Sequence, residues 1–599
     1  MQQTILNDNE ELLSKLFHKH ATSAALSMIG VQGCLVINAI LAGKFFGGEG
    51  LAVMSVVSPI YSIYAAIGAL TGIGGSIITA HALGRDDKEA ANKSFSCALI
   101  VCVILSGIVS GFSLLFQDEF LNVLGSVEKI FFMCKSYSTV YIVGGVCTAL
   151  FYMPYHFLKL TGHLKYLTAI FLGMAIINGI LDWIFCIEMQ MGMAGIALGT
   201  VVASLITVLL GLKTLLHSFK FTIPHSSFLI KELFRFGAPS ALRQCLLFAR
   251  FVLMNNLLVM AAGQMGLLIF SVVKVIENLS TIILSGISQA TSAFVAVFFQ
   301  EKDNTSIRRI EKRAHLISFE LILTLIIGVW LFSSGICDLF GIKNLSEQVS
   351  IIEAIRIFSI SLIPSIFCMN LTSYYQSTKF TKLANLITAN SNFILLVIPA
   401  YFLAPHFGIN MIWYSFTIAA VGTLIILAVI LFINRKEDQS PIFLLDLNSE
   451  KNGSYISFAV KTNVEDIANA VNKISAFCEK NKLNNKETML VKLSMEEMMM
   501  SIKDHCFNDN ADKTMDVRIL IIQKDDNNAT IVLRIRNSGK LFNPIDYYKH
   551  MKKNNDMDFV LSDALGIAMI IKAADAIHYK TTFGINNLTI LIDSKEATA

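Results

Sequence analysis

The sequence predicts a polytopic α-helical membrane protein of about twelve transmembrane helices in two six-helix repeats, followed by a C-terminal cytoplasmic α+β sandwich. Three observations lead there. Apolar runs, each near the roughly 20 residues that span a bilayer, follow one another to about residue 436, where the chain turns charged and patterned. The loops between the runs alternate in charge. Matching residues recur at a nearly constant spacing in the two halves.

Composition supports the first point. Of 599 residues, 54% are hydrophobic and 15% charged, well below the roughly 25% charged share of soluble domains. The runs 94–116, 166–187, 191–212 and 411–433 are clear spans, whereas 51–83 is long and rich in glycine. Asp8, Glu10 and Glu11 precede the first run, which therefore does not read as a cleaved signal peptide. Eleven cysteines are scattered without CxxC spacing, so neither a zinc site nor a disulfide framework is expected.

Charge placement sets the orientation. One set of loops is basic: Arg85, Lys88 and Lys93; Lys159 and Lys165; Lys220, Lys231 and Arg235; Lys302, Arg308, Arg309, Lys312 and Arg313; Lys379 and Lys382; Arg435 and Lys436. The other set is short or acidic, with Asp118, Glu119, Glu128, Glu188, Asp338 and Glu347, and with Lys129, Lys135 and Lys343 as minor exceptions. By the positive-inside rule the basic set is cytoplasmic. A multi-pass cell-membrane protein with both termini cytoplasmic is expected, and hence an even number of spans.

The repeat is read from aligned residues. Ser23 and Ser240 differ by 240 − 23 = 217, Asn38 and Asn255 by 255 − 38 = 217, and Lys165 and Lys382 by 382 − 165 = 217. Gly192 and Gly408 differ by 216, and Gly72 and Gly286 by 214. Two halves of like orientation, 15–217 and 218–436, form a parallel repeat about an axis along the membrane normal. A linker, 437–453, and a soluble domain, 454–599, follow.

Polar residues inside apolar runs are the candidate site. A carboxylate at mid-membrane costs roughly 2.5–3.5 kcal/mol on insertion scales and so faces a cavity or a partner. Asp182 is such a residue, and Asn178 lies four residues earlier on the same face. The pair can hold a proton or cation, or can fix helix packing. In the second half Lys274 and Glu277 are three apart, which suits an ion pair, and Arg243 and Arg250 are seven apart on the preceding helix. This positive excess reads either as a site for an anionic or zwitterionic substrate, or a coupling network through Glu277, or as a charge-paired interface with Arg243 snorkelling to the membrane edge.

Asn178-Gly-Ile-Leu-Asp182 with Gly192-Met-Ala-Gly-Ile-Ala-Leu-Gly-Thr200 resembles a signature of the multidrug and toxic compound extrusion (MATE) family. Gly72-Ile-Gly-Gly-Ser, Leu83-Gly-Arg-Asp-Asp87, Gly286-Ile-Ser-Gln-Ala, Gln376 and Pro405-His-Phe-Gly408 with Trp413 add to the resemblance, which covers about residues 15–436. It implies an antiporter exporting small organic compounds, driven by proton or sodium entry. One departure stands out. Many members carry an Asp five residues before the glycine matched by Gly43, and this chain has Asn38 there. An amide exchanges no proton but can ligate sodium. The cation and substrate set is therefore Asp182, Asn178, Asn38, Glu277, Lys274, Arg243, Arg250 and Asn255.

In the soluble domain, strands are expected at 454–461, 515–523, 529–536, 576–579 and 587–592, and helices at 464–478, 487–507 and 562–574. Three segments resemble the histidine-kinase-like ATPase fold, in its anti-sigma-factor kinase branch: Glu497 to His505, Arg536 to Pro544, and Asp563-Ala-Leu-Gly566. The resemblance implies a base at Glu497, a magnesium ligand at Ser501, an adenine contact at Asn537 in the motif that holds Gly539, and a phosphate-facing Gly566, for ATP with magnesium. Ser501 and Asn537 replace that fold's Asn and Asp, and Ala564 a motif glycine, so enzyme turnover is not expected. The partners are the bilayer, a small organic substrate and a cytosolic regulatory protein, not nucleic acid. The alternative function is a membrane sensor that signals through the soluble domain.

Overall fold

The computed structural model describes residues 2–84, 87–222, 227–300, 303–378, 380–433, 453–481, 483–507, 513–525, 528–553, 566–582 and 585–593. Arg85, Asp86, Lys302, Lys379, Arg435, Lys436, nearly all of the linker and Ser562–Leu565 lie outside them. The chain divides into two compact units. One comprises His18–Val297 with Ile310–Phe443; the other comprises Met1–Phe17, Phe298–Arg309 and Leu444–Ala599.

The first unit is helical. Its helices α1 (Gln2–Gly84), α2 (Lys88–Leu115), α3 (Gln117–Val123), α4 (Phe131–Val143), α5 (Gly145–Leu150) and α6 (Tyr152–Leu160) are followed by α7 (Leu164–Trp183) and α8 (Met193–Ser218). Then come α9 (Ser227–Gln300), α10 (Asn304–Leu331), α11 (Ser333–Leu339), α12 (Leu345–Ile360), α13 (Leu362–Ser377), α14 (Thr381–Ala389), α15 (Leu395–Phe407) and α16 (Asn410–Ile433). Among the described residues eight helical stretches are long and apolar enough to cross a membrane, or ten if two bent pairs count as one span each. Those pairs bend by 56° after Val143 and by 43° after Ile360.

Two of the eight stretches, His20–Leu83 and Phe228–Phe299, run to 64 and 72 residues. A straight helix of that length would exceed 90 Å, about three times the hydrocarbon thickness. Each is instead broken at a glycine: Gly47 has φ 59° and ψ −144°, and Gly263 has φ 56° and ψ −138°. This corner of backbone space is essentially closed to side chains. Past each break the chain doubles back, so that Gly50 lies against the carbonyl of Ala42 and Gly266 against that of Leu258. The breaks are 263 − 47 = 216 residues apart. Gly125 and Gly341, and Gly192 and Gly408, are the other positive-φ glycines at that spacing.

The second unit holds a five-stranded antiparallel sheet. Strands β1 (Gly453–Lys461), β2 (Thr514–Asp525), β3 (Asn528–Asn537), β4 (Ala576–Thr582) and β5 (Ile585–Asp593) pair in the order β1-β2-β3-β5-β4. Helices α17 (Val464–Lys480), α18 (Asn485–Phe507) and α19 (Pro544–Lys553) accompany it, and 566–573 are helical. Reciprocal caps start two helices: Asn463 with Asp466, and Asn484 with Glu487. Alternation sorts the sheet's two faces. Val517, Ile519 and Ile521 with Ile531, Leu533 and Ile535 share a core with Ile474, Met495, Met498 and Met499. The intervening Arg518, Arg534 and Arg536 point to the other face, yet are buried.

Candidate functional site

Asp182 sits at the end of α7 with no solvent exposure. Asn178, one turn earlier, donates its amide nitrogen to Asp182 Oδ1 at 2.9 Å and lies 3.3 Å from the Thr200 hydroxyl. Asn38 on α1 completes the cage. With its amide nitrogen toward Asp182 it donates to Oδ2 at 2.8 Å, and its oxygen accepts from Thr200 at 2.8 Å. Three helices thus converge on one carboxylate. The approach of α8 depends on Gly199, where a methyl group would overlap Asp182 Oδ1. A short π-helical turn, Ile184–Glu188, follows immediately, a distortion common at functional sites.

Chemically the cage distinguishes charge states. An ionised carboxylate accepts from both amides. A protonated one turns one oxygen into a donor with less acceptor capacity, which weakens the amide contact made to that oxygen. The carboxylate, amide oxygens and hydroxyl are all hard oxygen donors, the kind that suits a small cation.

The second half is different. The sequence suggested an ion pair between Lys274 and Glu277, but Glu277 pairs instead with Arg250 at 2.8 Å. The long, flat guanidinium reaches across from its own stretch of α9. Lys274 contacts the hydroxyl of Ser58 and lies over the Phe251 ring, 4.1 Å from its centroid. Arg250 is 3% exposed, Lys274 9% and the Glu277 side chain 23%. Arg243 is exposed and so does not share the buried setting of Arg250.

Asn255 does not mirror Asn38. Its amide donates to the carbonyls of Ser55 (3.0 Å) and Leu124 (3.2 Å), which fastens α9 to the loop after α3. Elsewhere Tyr155 and Lys159 both donate to Gln289 Oε1, at 3.2 and 3.0 Å, and Gly286 packs on Ala25.

In the sheet-containing unit, Asn537 is buried and its Oδ1 accepts from the Gly539 backbone N–H (3.0 Å) and from Asn586 (3.1 Å). Glu497 lies against Gly566, and the Ser501 hydroxyl is buried without a partner among the described residues.

A group missed in the sequence lies in the same unit. Asp303, 1% exposed, accepts from Ser306 N (3.0 Å) at the start of α10 and from Arg534 (2.7 Å). It also pairs with Arg518 and with Arg536, the latter at 3.3 Å, and Arg536 stacks over Phe298. Burial alone pushes the Asp303 carboxyl up, but Arg534, Arg536 and Arg518 outweigh it and hold it well below the usual carboxylate range. The signal was the arginines at alternate strand positions.

Residues 23–184 match the MatE family model. The Multidrug export protein MepA of Staphylococcus haemolyticus is 22% identical over 271 residues, which cover 44% of this chain and 60% of MepA. The same figures hold for MepA of Staphylococcus saprophyticus. The chain thus spans less than two thirds of the length of these curated relatives. Among solved structures, the inward-facing conformation of a multidrug resistance MATE family transporter of the MOP superfamily superposes with a TM-score of 0.60 at 20% identity, covering 68% of this chain and 96% of that one. A MOP superfamily transporter from Pyrococcus furiosus, described with a binding pocket of reverse polarity, gives 0.58 at 20% identity over 69% and 94%. The helical unit of this chain therefore has the fold of the MATE transporters, and residues 23–184 carry that family's sequence pattern.

Proposed function

We propose that the chain is a secondary antiporter that exports a small organic compound against entry of a proton or sodium ion. The observation that carries this reading is the carboxylate of Asp182, without solvent exposure and held by Asn178 and Asn38, with Thr200 bonded to both amides. A cation arriving there competes with the amide donors, and its loss restores them. Because the cage joins α1, α7 and α8, its occupancy biases how those helices pack. Counting the chains on either side of Gly47 and Gly263 separately brings the ten candidate spans to twelve (10 + 2). That count and the basic loops support a reading as two six-helix halves, 15–217 and 218–436, with cytoplasmic termini.

The sheet-containing unit is assigned a regulatory role, with a histidine-kinase-like ATPase ancestry and no turnover. Asn537 already spends its oxygen on Gly539 and Asn586, so a nucleotide held there with magnesium competes with the unit's own loop. The test is uptake or release of fluorescent organic dyes by proteoliposomes under proton and sodium gradients imposed separately. Flux that follows one gradient supports the antiporter. Absence of flux under both, with ligand-dependent capture of a soluble partner, supports the sensor reading instead.

A further inference from the structure

The basic cluster of the second half is not a closed set of pairs. Arg250 and Lys274 bring two cationic groups and Glu277 one carboxylate. Glu277 is taken by Arg250, and among the described residues Lys274 has no carboxylate within ion-pair distance. Arg250 is 3% exposed, and its Nε has no hydrogen-bond partner among the described residues. Buried donors without partners are costly, and a buried pair needs its remaining hydrogens satisfied to break even. The cluster therefore lacks one acceptor group.

Its position is equally specific. Lys274 touches Ser58, and 274 − 58 = 216, the spacing of the three glycine pairs. Residues equivalent by the repeat meet only near the axis that relates the halves, so the ammonium stands on the seam between them. The surroundings are aromatic. Lys274 lies 4.1 Å from the Phe251 centroid and 5.5 Å from that of Phe270, and Phe270 neighbours the buried Trp413 at 6.4 Å. A dry aromatic wall beside buried donors suits a molecule with an apolar body and an anionic end.

We propose that this seam binds an oxyanion group, carboxylate or phosphate, of the transported compound, with Lys274 and Arg250 Nε as its donors. The proposal deepens the antiporter reading and names the substrate class as anionic rather than cationic. It stands on binding, so it is tested without flux. Glu277 positions Arg250 and leaves its Nε edge for the ligand, as one fork of a guanidinium holds an internal carboxylate and another an external one.

The experiment is titration of the purified full-length protein in a neutral detergent with octyl phosphate, octyltrimethylammonium and inorganic phosphate, read by calorimetry. Octyl phosphate is expected to bind at one site at least tenfold tighter than octyltrimethylammonium. Lys274→Gln is expected to weaken octyl phosphate at least tenfold, and Lys274→Arg to restore it, which separates charge from folding. Inorganic phosphate binding as tightly as octyl phosphate assigns the site to a soluble oxyanion, whereas much weaker binding assigns it to an amphiphile; both outcomes support the oxyanion site. Tighter binding of octyltrimethylammonium, no octyl phosphate binding, or an affinity unchanged in Lys274→Gln would each overturn the proposal. Dye flux of the same protein reconstituted into proteoliposomes fails or succeeds independently.

Discussion

The two halves of the helical unit place polar residues in helices of the same kind and treat them in opposite ways. In the first half one carboxylate, Asp182, is dressed by Asn178 and Asn38, with Thr200 bonded to both amides. In the second half two cations, Arg250 and Lys274, stand beside one carboxylate, Glu277, which pairs with Arg250. The first cluster is complete without a ligand and changes its hydrogen bonds when its charge changes. The second is short of an acceptor as it stands. On the proposed reading the contrast is a division of labour: a cation-sensing cage has a satisfied resting state, whereas an anion-recruiting seam keeps donors in hand.

The largest expected effect breaks the first half. Asp182→Asn keeps the volume of the side chain and removes the charge that a cation would meet. Gradient-driven flux in proteoliposomes is expected to fall at least tenfold, with the protein still monodisperse; undiminished flux would move coupling out of this cage.

The next perturbation lies outside the helical unit and calibrates its two clusters, because Asp303 shows what a buried carboxylate surrounded by arginines is worth. Removing one partner of a buried ion pair costs about 3–5 kcal/mol. Asp303→Asn, in the full chain, is expected to raise amide exchange in β2 and β3 accordingly. The sign with pH follows from its depressed folded value. The stabilisation is fully present above the unfolded carboxyl value near about 4 and is lost only as pH falls through the lower folded value. Between pH 5 and 8 the difference between wild type and variant should therefore be flat. A slope across that range would contradict the ion network.

A smaller effect sharpens the role of close packing around Asp182. Gly199→Ala places a methyl against Asp182 Oδ1, and overpacking of this kind costs about 1–3 kcal/mol. Thermal unfolding should show the loss, and flux should fall with it. Unchanged stability would mean that α8 can retreat freely from α7.

The smallest effect has the opposite sign. Lys274→Met removes a buried cation that has no carboxylate of its own, while its side chain still packs on Phe251. Replacing poorly compensated buried charge by apolar groups is neutral or stabilising by roughly 1 kcal/mol or more. The variant is expected to melt no lower than wild type while binding octyl phosphate more weakly. A large destabilisation would show that Lys274 is structural.

Legibility in the sequence followed the range of each interaction. Asn178 and Asp182 are one turn apart on α7, so their pairing could be read from spacing alone. Thr200 and Gly199 stood in the quoted signature, but their approach to Asp182 depends on how α7 and α8 pack. Lys274 and Glu277 were paired wrongly for the same reason: helical spacing allowed the pair, while Arg250, distant in sequence, competes for the carboxylate. Asn38 and Asn255 were aligned at 217, but the glycine pairs run at 216, and the two amides make unrelated contacts. The strands of the second unit lie where alternation put them. Alternation also placed three arginines on one face of β2 and β3, yet nothing local announces that Asp303, in a connection between two helices, is their partner.

The most direct test of the division between halves is octyl phosphate titration of Asp182→Asn and Lys274→Gln side by side. The account predicts that Asp182→Asn binds within about threefold of wild type, a difference of less than about 0.7 kcal/mol, while Lys274→Gln loses at least tenfold. Equal loss in both variants, or loss only in Asp182→Asn, would contradict it.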